Sequence, residues 1–129
     1  MVKIFSYNKQ EKLKSRKQIE QLFAEGKSFV VHPIKVTYML LENSLTNIPI
    51  QISVGVSKRN FKNATDRNRI KRLLREAYRL NKLPLHQHLK NANLQIAVFI
   101  FYIDKEIAEL STLHQKFLLM NEKLIKQLN

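Results

Sequence analysis

The stretch RNRIKRLLREAYR, residues 67–79, holds six arginine or lysine residues in thirteen positions and a single acid, Glu76. Set on a helix at about 100° per residue, Ile70, Leu73, Leu74, Ala77 and Leu80 fill one apolar arc, with Tyr78 at its edge. Arg67, Asn68, Lys71, Arg72, Arg75, Arg79 and Lys82 fill the opposite arc, and Glu76 lies on the border within reach of Arg72 or Arg79. Solvated helix faces interleave their signs, whereas like charges one turn apart repel. A face this one-sided is matched by a polyanion. The arginine-rich choice suits bidentate contacts to phosphate. Asn68, in the middle of the face, has the groups to bond a base edge, a ribose hydroxyl or its own backbone.

Charge along the rest of the chain is organised the same way. The chain has 129 residues and a formal net charge of +13. Residues 57–82 hold ten Lys or Arg against two acids, and residues 1–27 hold seven against three. Residues 28–56, with one of each, and 83–129, with five against four, are balanced. Clustered positive potential is the electrostatic footprint of nucleic-acid binding.

Residues for other chemistries are lacking. There is no cysteine, which removes disulfides, thiolate metal sites and cysteine nucleophiles. His86 and His88 form an H-x-H with no acidic cluster beside it, while His32 and His114 stand apart, a poor set for a metal. The ten carboxylates are scattered, and Asp104 reads as a helix cap; a two-metal nuclease needs clustered acids. No catalytic residue and no metal ligand is assigned to protein side chains. No apolar run reaches the roughly 18–20 residues of a membrane span. The segment MVKIFSYNKQEKLKSRK has no signal-peptide core. A soluble intracellular protein without a membrane partner is expected.

The elements that must position the basic helix follow from periodicity. Two glycines, three prolines and no repeat leave no domain boundary, so residues 1–129 read as one RNA-binding domain. SRKQIEQLFAE (15–25) predicts a helix with a Ser15/Gln18 capping box and Gly26 as its stop. Ile19, Leu22 and Phe23 share one of its faces. FVVHPIKVTYMLL (29–41) and IQISVGVS (50–57) alternate as strands, with Pro33 at a strand start or edge and the polar turn ENSLTNIP between them. The simplest pairing of the two is antiparallel. The basic helix is expected from about Arg67 to Asn81, capped by Asp66 or Thr65 and ended near Pro84. LQIAVFIFYI (94–103) predicts a central strand covered on both faces. Residues 105–128 predict a helix burying Leu113, Phe117, Met120 and Leu124, with Ser111 marking a break. The expected class is α+β, one sheet with helices.

DRNRIKRLLREAYR resembles the signature of the bacterial ribonuclease P protein component, in Arg67, Asn68, Arg69, Lys71, Arg72 and Arg75. KLKSRKQIEQLFAEGKSF resembles that family's opening helix, and SVGVSKR its strand ending in Ser-Lys-Lys or Ser-Lys-Arg. The connector NFKNATD departs from the family in lacking a glycine and being one residue longer, and Ile19 stands where an aromatic is common.

The resemblance implies an α-β-β-β-α-β-α sandwich with one mixed sheet, and a role in removing the 5′ leader of precursor tRNA. In that family the RNA subunit and its Mg²⁺ ions perform catalysis, in the bacterial cytoplasm. It implies that Arg67, Asn68, Arg69, Lys71, Arg72, Arg75 and Arg79 contact ribonuclease P RNA. A cleft between the first helix and the sheet would hold the single-stranded leader of precursor tRNA. Phe23 and Tyr38 are the stacking candidates there, with Arg16, Lys58 and Arg59 as phosphate contacts. Phe23 and Tyr38 each have a packing reading as well, and Lys58 and Arg59 also suit a solvated turn. No oligomer is predicted. The alternative is a ribosomal or other structured-RNA binding protein with the same basic helix and no leader cleft. A helix-turn-helix fits less well because strands frame the basic helix. A membrane-surface helix stands alone, whereas this one needs its apolar arc for the core.

Overall fold

The run IAVFIFY organises the chain in the computed structural model, which describes residues 12–13, 16–41 and 48–128. It forms β4 (Ile96–Tyr102), preceded by α1 (Arg16–Glu25), β1 (Lys27–Val31), β2 (Ile34–Leu40), β3 (Ile50–Val56), α2 (Ala64–Asn81) and α3 (Leu83–Asn91), and followed by α4 (Leu110–Leu128). The strand order is β1-β2-β4-β3, with β4 antiparallel to β2 and parallel to β3. The expected antiparallel pairing of β2 with β3 is therefore corrected. The α2–α3 crossover returns β4 parallel to β3 and beside it, and the most apolar strand takes the centre between the two. The resulting α+β arrangement is the mixed sheet with helices that the resemblance implies, plus one further helix.

One sheet face carries the main core. Ile34, Val36 and Tyr38 of β2, Ile50 and Ile52 of β3, and Ile96, Val98, Ile100 and Tyr102 of β4 are buried there. Ile70, Leu74, Ala77 and Tyr78 of α2 cover them together with Leu113, Phe117, Met120 and Leu124 of α4. Tyr78 is thus inside the core, not at its edge. Two buried asparagines join the helices: Asn121 Nδ2 donates to the Asn81 carbonyl at 2.7 Å, and Asn81 Nδ2 meets His114 Nδ1 at 2.7 Å. Their polar groups are paired, as burial requires.

The opposite face is only partly covered. Leu22 of α1 and Leu13 pack on Ala97, with Ile19, Met39, Leu41 and Phe99 around them. The expectation that β4 is covered on both faces fails toward its C-terminal end, where Phe99 and Phe101 are only half-buried. Gly26 ends α1 as expected, its N–H bonding the Leu22 carbonyl at 2.8 Å. A side chain at Gly26 would stand 2.4 Å from that oxygen. Ser15 and residues 42–47 of the polar turn lie outside the described residues.

Helix ends account for the remaining corrections. Asn63, not Thr65 or Asp66, caps α2: its side-chain oxygen accepts the Thr65 N–H at 2.8 Å, and the helix starts at Ala64. Asp66 remains in the first turn, where the helix dipole favours an acid. Replacing Asn63 with alanine is expected to cost about 1 kcal/mol, measurable as a lower urea midpoint. Pro84 follows soon after the end of α2 at Asn81, as expected, but a further helix begins there. The proline sits in the first turn of α3, where its missing N–H costs no helical bond. Asn93 adopts φ 56° after α3, and the Leu94 N–H bonds the Leu89 carbonyl at 2.8 Å. Ser111 lies within the first turn of α4 and breaks nothing. Asp104 caps no helix: it accepts the Lys105 N–H at 2.7 Å in the turn before α4, and this bond holds its pKa below the usual value.

Candidate nucleic-acid interface

With Ile70, Leu74 and Ala77 locked into the core, α2 turns its basic arc outward, apart from Lys82 just beyond its end, which is buried with its ammonium over the Tyr78 ring. Asn68, Arg69, Arg72 and Arg75 are exposed, and Arg67, Lys71 and Arg79 are half-buried. These seven do not act alike. Arg67 Nη1 donates to the carbonyls of Phe61 and Lys62, each at 2.8 Å, and so braces the connector that brings β3 into α2. Arg79 grips Glu76, with Nη2 to Oε1 at 2.5 Å and Nε to Oε2 at 3.1 Å. Arg69, Lys71, Arg72 and Arg75 have no ion pair or hydrogen-bond partner among the described residues. Four adjacent cations without an internal counter-charge among the described residues make this outer face strongly basic.

Glu76 settles on Arg79, not Arg72. The Arg79 hydrogen bond lowers the Glu76 pKa below the usual carboxylate value and raises that of Arg79. With its folded pKa depressed, the pair's small stabilising contribution is present above the ordinary glutamate range and is lost as pH falls through the lowered value. Glu76 also borders the basic face. A Glu76→Gln change is expected to raise RNA affinity by about threefold, read by filter binding at fixed salt.

A second surface lies on the open face of the sheet. Phe99 and Phe101 project from the same side of β4, their ring centroids 6.4 Å apart and 27° from coplanar. Phe23 of α1, 57% exposed, leans on Phe99 at 5.0 Å. Lys35 of β2 stands opposite Phe101 and Thr37 opposite Phe99. On the other side, Ser53 and Gly55 of β3 are in register with the two phenylalanines. Three aromatic rings flanked by polar and cationic side chains make a stacking surface that requires no particular base.

Of the residues expected at a leader cleft, Tyr38 lies on the other face of the sheet from Phe23. Phe23 faces the open side. Arg16, whose side chain is 94% exposed, lies two turns before Phe23 on α1 and pairs with Glu20 at 3.6 Å. Lys58 and Arg59 are exposed in the turn that follows β3, where the Arg59 N–H bonds the Ser57 hydroxyl at 3.1 Å. Tyr38 is corrected. It is 5% exposed on the core face, packs against Phe29, and donates its hydroxyl to Gln127 of α4; burial raises its pKa. Alternation with Ile34 and Val36 sends its ring to the side opposite Phe23. Phe99, Phe101 and Lys35 share this open face, and the sequence analysis does not single them out. Their signal was period two: Lys35 alternates with core residues, and Phe99 and Phe101 alternate with Val98, Ile100 and Tyr102.

His32, His86 and His114 pair with nearby side chains, and the buried His88 Nε2 has no hydrogen-bond partner among the described residues. His86 meets the Tyr78 hydroxyl at 2.8 Å, and His32 meets Asp104 at 3.3 Å. Among the described residues no three histidines or acids gather as metal ligands, and no helix is long and apolar enough to cross a membrane.

The family model for Ribonuclease P matches residues 7–127. A Porphyromonas gingivalis ribonuclease P protein component is 35% identical over 122 residues, covering 95% of this chain and 86% of its own. A Chlorobium phaeobacteroides ribonuclease P protein component is 32% identical over 120 residues, covering 86% of this chain and 82% of its own. The fold is shared with the RNase P protein from Thermotoga maritima at a TM-score of 0.64 and 22% identity, over 88% of this chain and 96% of that one. It is shared with the Staphylococcus aureus RNase P protein at 0.65 and 19%, over 92% and 98%. A basic Arg-Asn-Arg helix seated on a mixed sheet, in a chain matched along nearly its whole length, belongs to the ribonuclease P protein component family.

Proposed function

We infer that this protein is the protein subunit of a bacterial, cytoplasmic ribonuclease P, and that its two surfaces divide the work of binding. The outer face of α2 holds the catalytic RNA through Arg69, Lys71, Arg72 and Arg75, with Asn68 among them. Arg67 and Arg79 contribute charge while bracing the connector and pairing with Glu76. The open sheet face receives the single-stranded 5′ leader of precursor tRNA. Phe23, Phe99 and Phe101 offer stacking, and Lys35, Lys58, Arg59 and Arg16 offer cations. Hydrolysis of the leader phosphodiester is assigned to the RNA subunit with its Mg²⁺, as membership of the family implies.

The observation that carries this reading is the pairing of four unpartnered cations on α2 with a separate exposed aromatic strip. The first suits a folded RNA of any sequence, and the second suits a short unpaired strand. Reconstitution tests it. The protein is added to ribonuclease P RNA at low Mg²⁺, and cleavage is followed for precursor tRNAs with a long and a very short leader. Stimulation that grows with leader length is expected. RNA binding with no effect on cleavage of either substrate would contradict the reading.

A further inference from the structure

Gly55 is the last residue but one of β3 and still paired with β4, an unfavourable place for glycine, which adds flexibility to a strand and no packing. Its backbone gives no reason for the choice, since no described glycine has positive φ. The reason is space. A β-carbon at Gly55 would stand 2.8 Å from Phe99 Cζ, 2.9 Å from Phe99 Cε1 and 3.2 Å from Phe101 Cδ2. Gly55 is buried on a face that is otherwise open because these two rings cover it. Phe99 is in register with Ser53, so its ring crosses diagonally along β3 to rest over Gly55.

We propose that Gly55 is a positioning residue for leader binding: it is the seat that lets Phe99 and Phe101 lie low as a two-ring floor. The proposal rests on the leader-cleft reading given above. The rings are one strand repeat of two residues apart, so each offers a face to a separate base. Any side chain at position 55 lifts the Phe99 ring, whose far edge is the first thing it meets, while the strand backbone stays in place. Phe23 already touches Phe99 at 5.0 Å, so the lifted ring has to move into the cleft. Gly55 itself contacts no leader; it acts through Phe99.

The test is a double-mutant cycle of Gly55→Ala and Phe99→Ala in the reconstituted holoenzyme, with long-leader and very-short-leader precursor tRNA. For Gly55→Ala, long-leader affinity is expected to fall about tenfold, the loss of roughly one stacked base. Short-leader affinity and affinity for ribonuclease P RNA are expected to stay unchanged. In the Phe99→Ala background, where the ring is gone, the same methyl group is expected to cost nothing. The proposal is overturned if Gly55→Ala leaves long-leader affinity intact, or weakens it equally without Phe99. It is also overturned if short-leader and RNA affinities fall in parallel, which would mark a folding defect. In each of those cases the unsubstituted protein still distinguishes the two leaders and the cleft reading survives. Loss of that distinction in the unsubstituted protein would overturn both.

Discussion

Replacing Arg69, Arg72 and Arg75 together with alanine is expected to lower affinity for ribonuclease P RNA about a thousandfold near 0.15 M salt. Each is exposed and has no partner among the described residues, so each is available for a charge-assisted contact. Such a contact is worth about 1.5 kcal/mol, roughly a factor of ten. The slope of log affinity against log salt should become shallower by about 2–3 units, since each phosphate contact releases its own counterion. Stability should move by no more than about 0.5 kcal/mol, because the three side chains support nothing inside the protein. Isothermal binding over a salt series and urea unfolding check the two halves. A lost affinity with an unchanged salt slope would mean that the arginines shape the protein and do not meet phosphate.

The opposite arc of the same helix carries the second large effect. Leu74 is fully buried between Ile70 and Ala77, facing the sheet. Leu74→Ala is expected to cost about 3 kcal/mol, combining lost burial with the cavity that remains. Urea denaturation should show the loss as a lower midpoint with an unchanged slope. RNA binds only the folded form, so saturating RNA should restore much of the stability by mass action. A cost below about 1 kcal/mol would show that α2 is not held by this face. Together the two variants separate what one helix does for the core from what it does for RNA.

How far the sequence discloses this arrangement depends on the range of the interactions involved. The basic helix is legible because its pattern is local: buried Ile70, Leu74 and Ala77 recur at three- and four-residue steps, and the arginines occupy the remaining positions. The buried stripe of α4 is legible for the same reason. The pairing of β3 with β4 is not, because the strands meet only after α2 and α3 have carried the chain back. Nothing in IQISVGVS alone chooses between a parallel and an antiparallel neighbour. Pro84 marks the end of α2 correctly, but α3 is not legible, because the proline that follows one helix also suits the first turn of the next.

The cleft is harder to read than the helix for a related reason. IAVFIFY is apolar at every position, so its sequence does not show that one face has a helix over only part of its length. Alternation places Phe99 and Phe101 on one side, but exposure follows from where α1 stops, at Glu25 and Gly26. Tyr38 shows the converse. Its chemistry suits a stacking platform, yet its register with Val98 commits it to the core. Residue type proposes a role; the face decides it.

The central claim is that catalytic RNA and leader meet different surfaces, and site-specific photocrosslinking in the reconstituted holoenzyme tests it most directly. A photoreactive group placed in turn on α2, beside Arg72, and on the open sheet face, beside Phe101, would be read by mapping the crosslinked nucleotides. The α2 probe is expected to label ribonuclease P RNA, and the sheet probe to label leader nucleotides of precursor tRNA. Leader crosslinks from α2, with the sheet face labelling neither RNA, would contradict it.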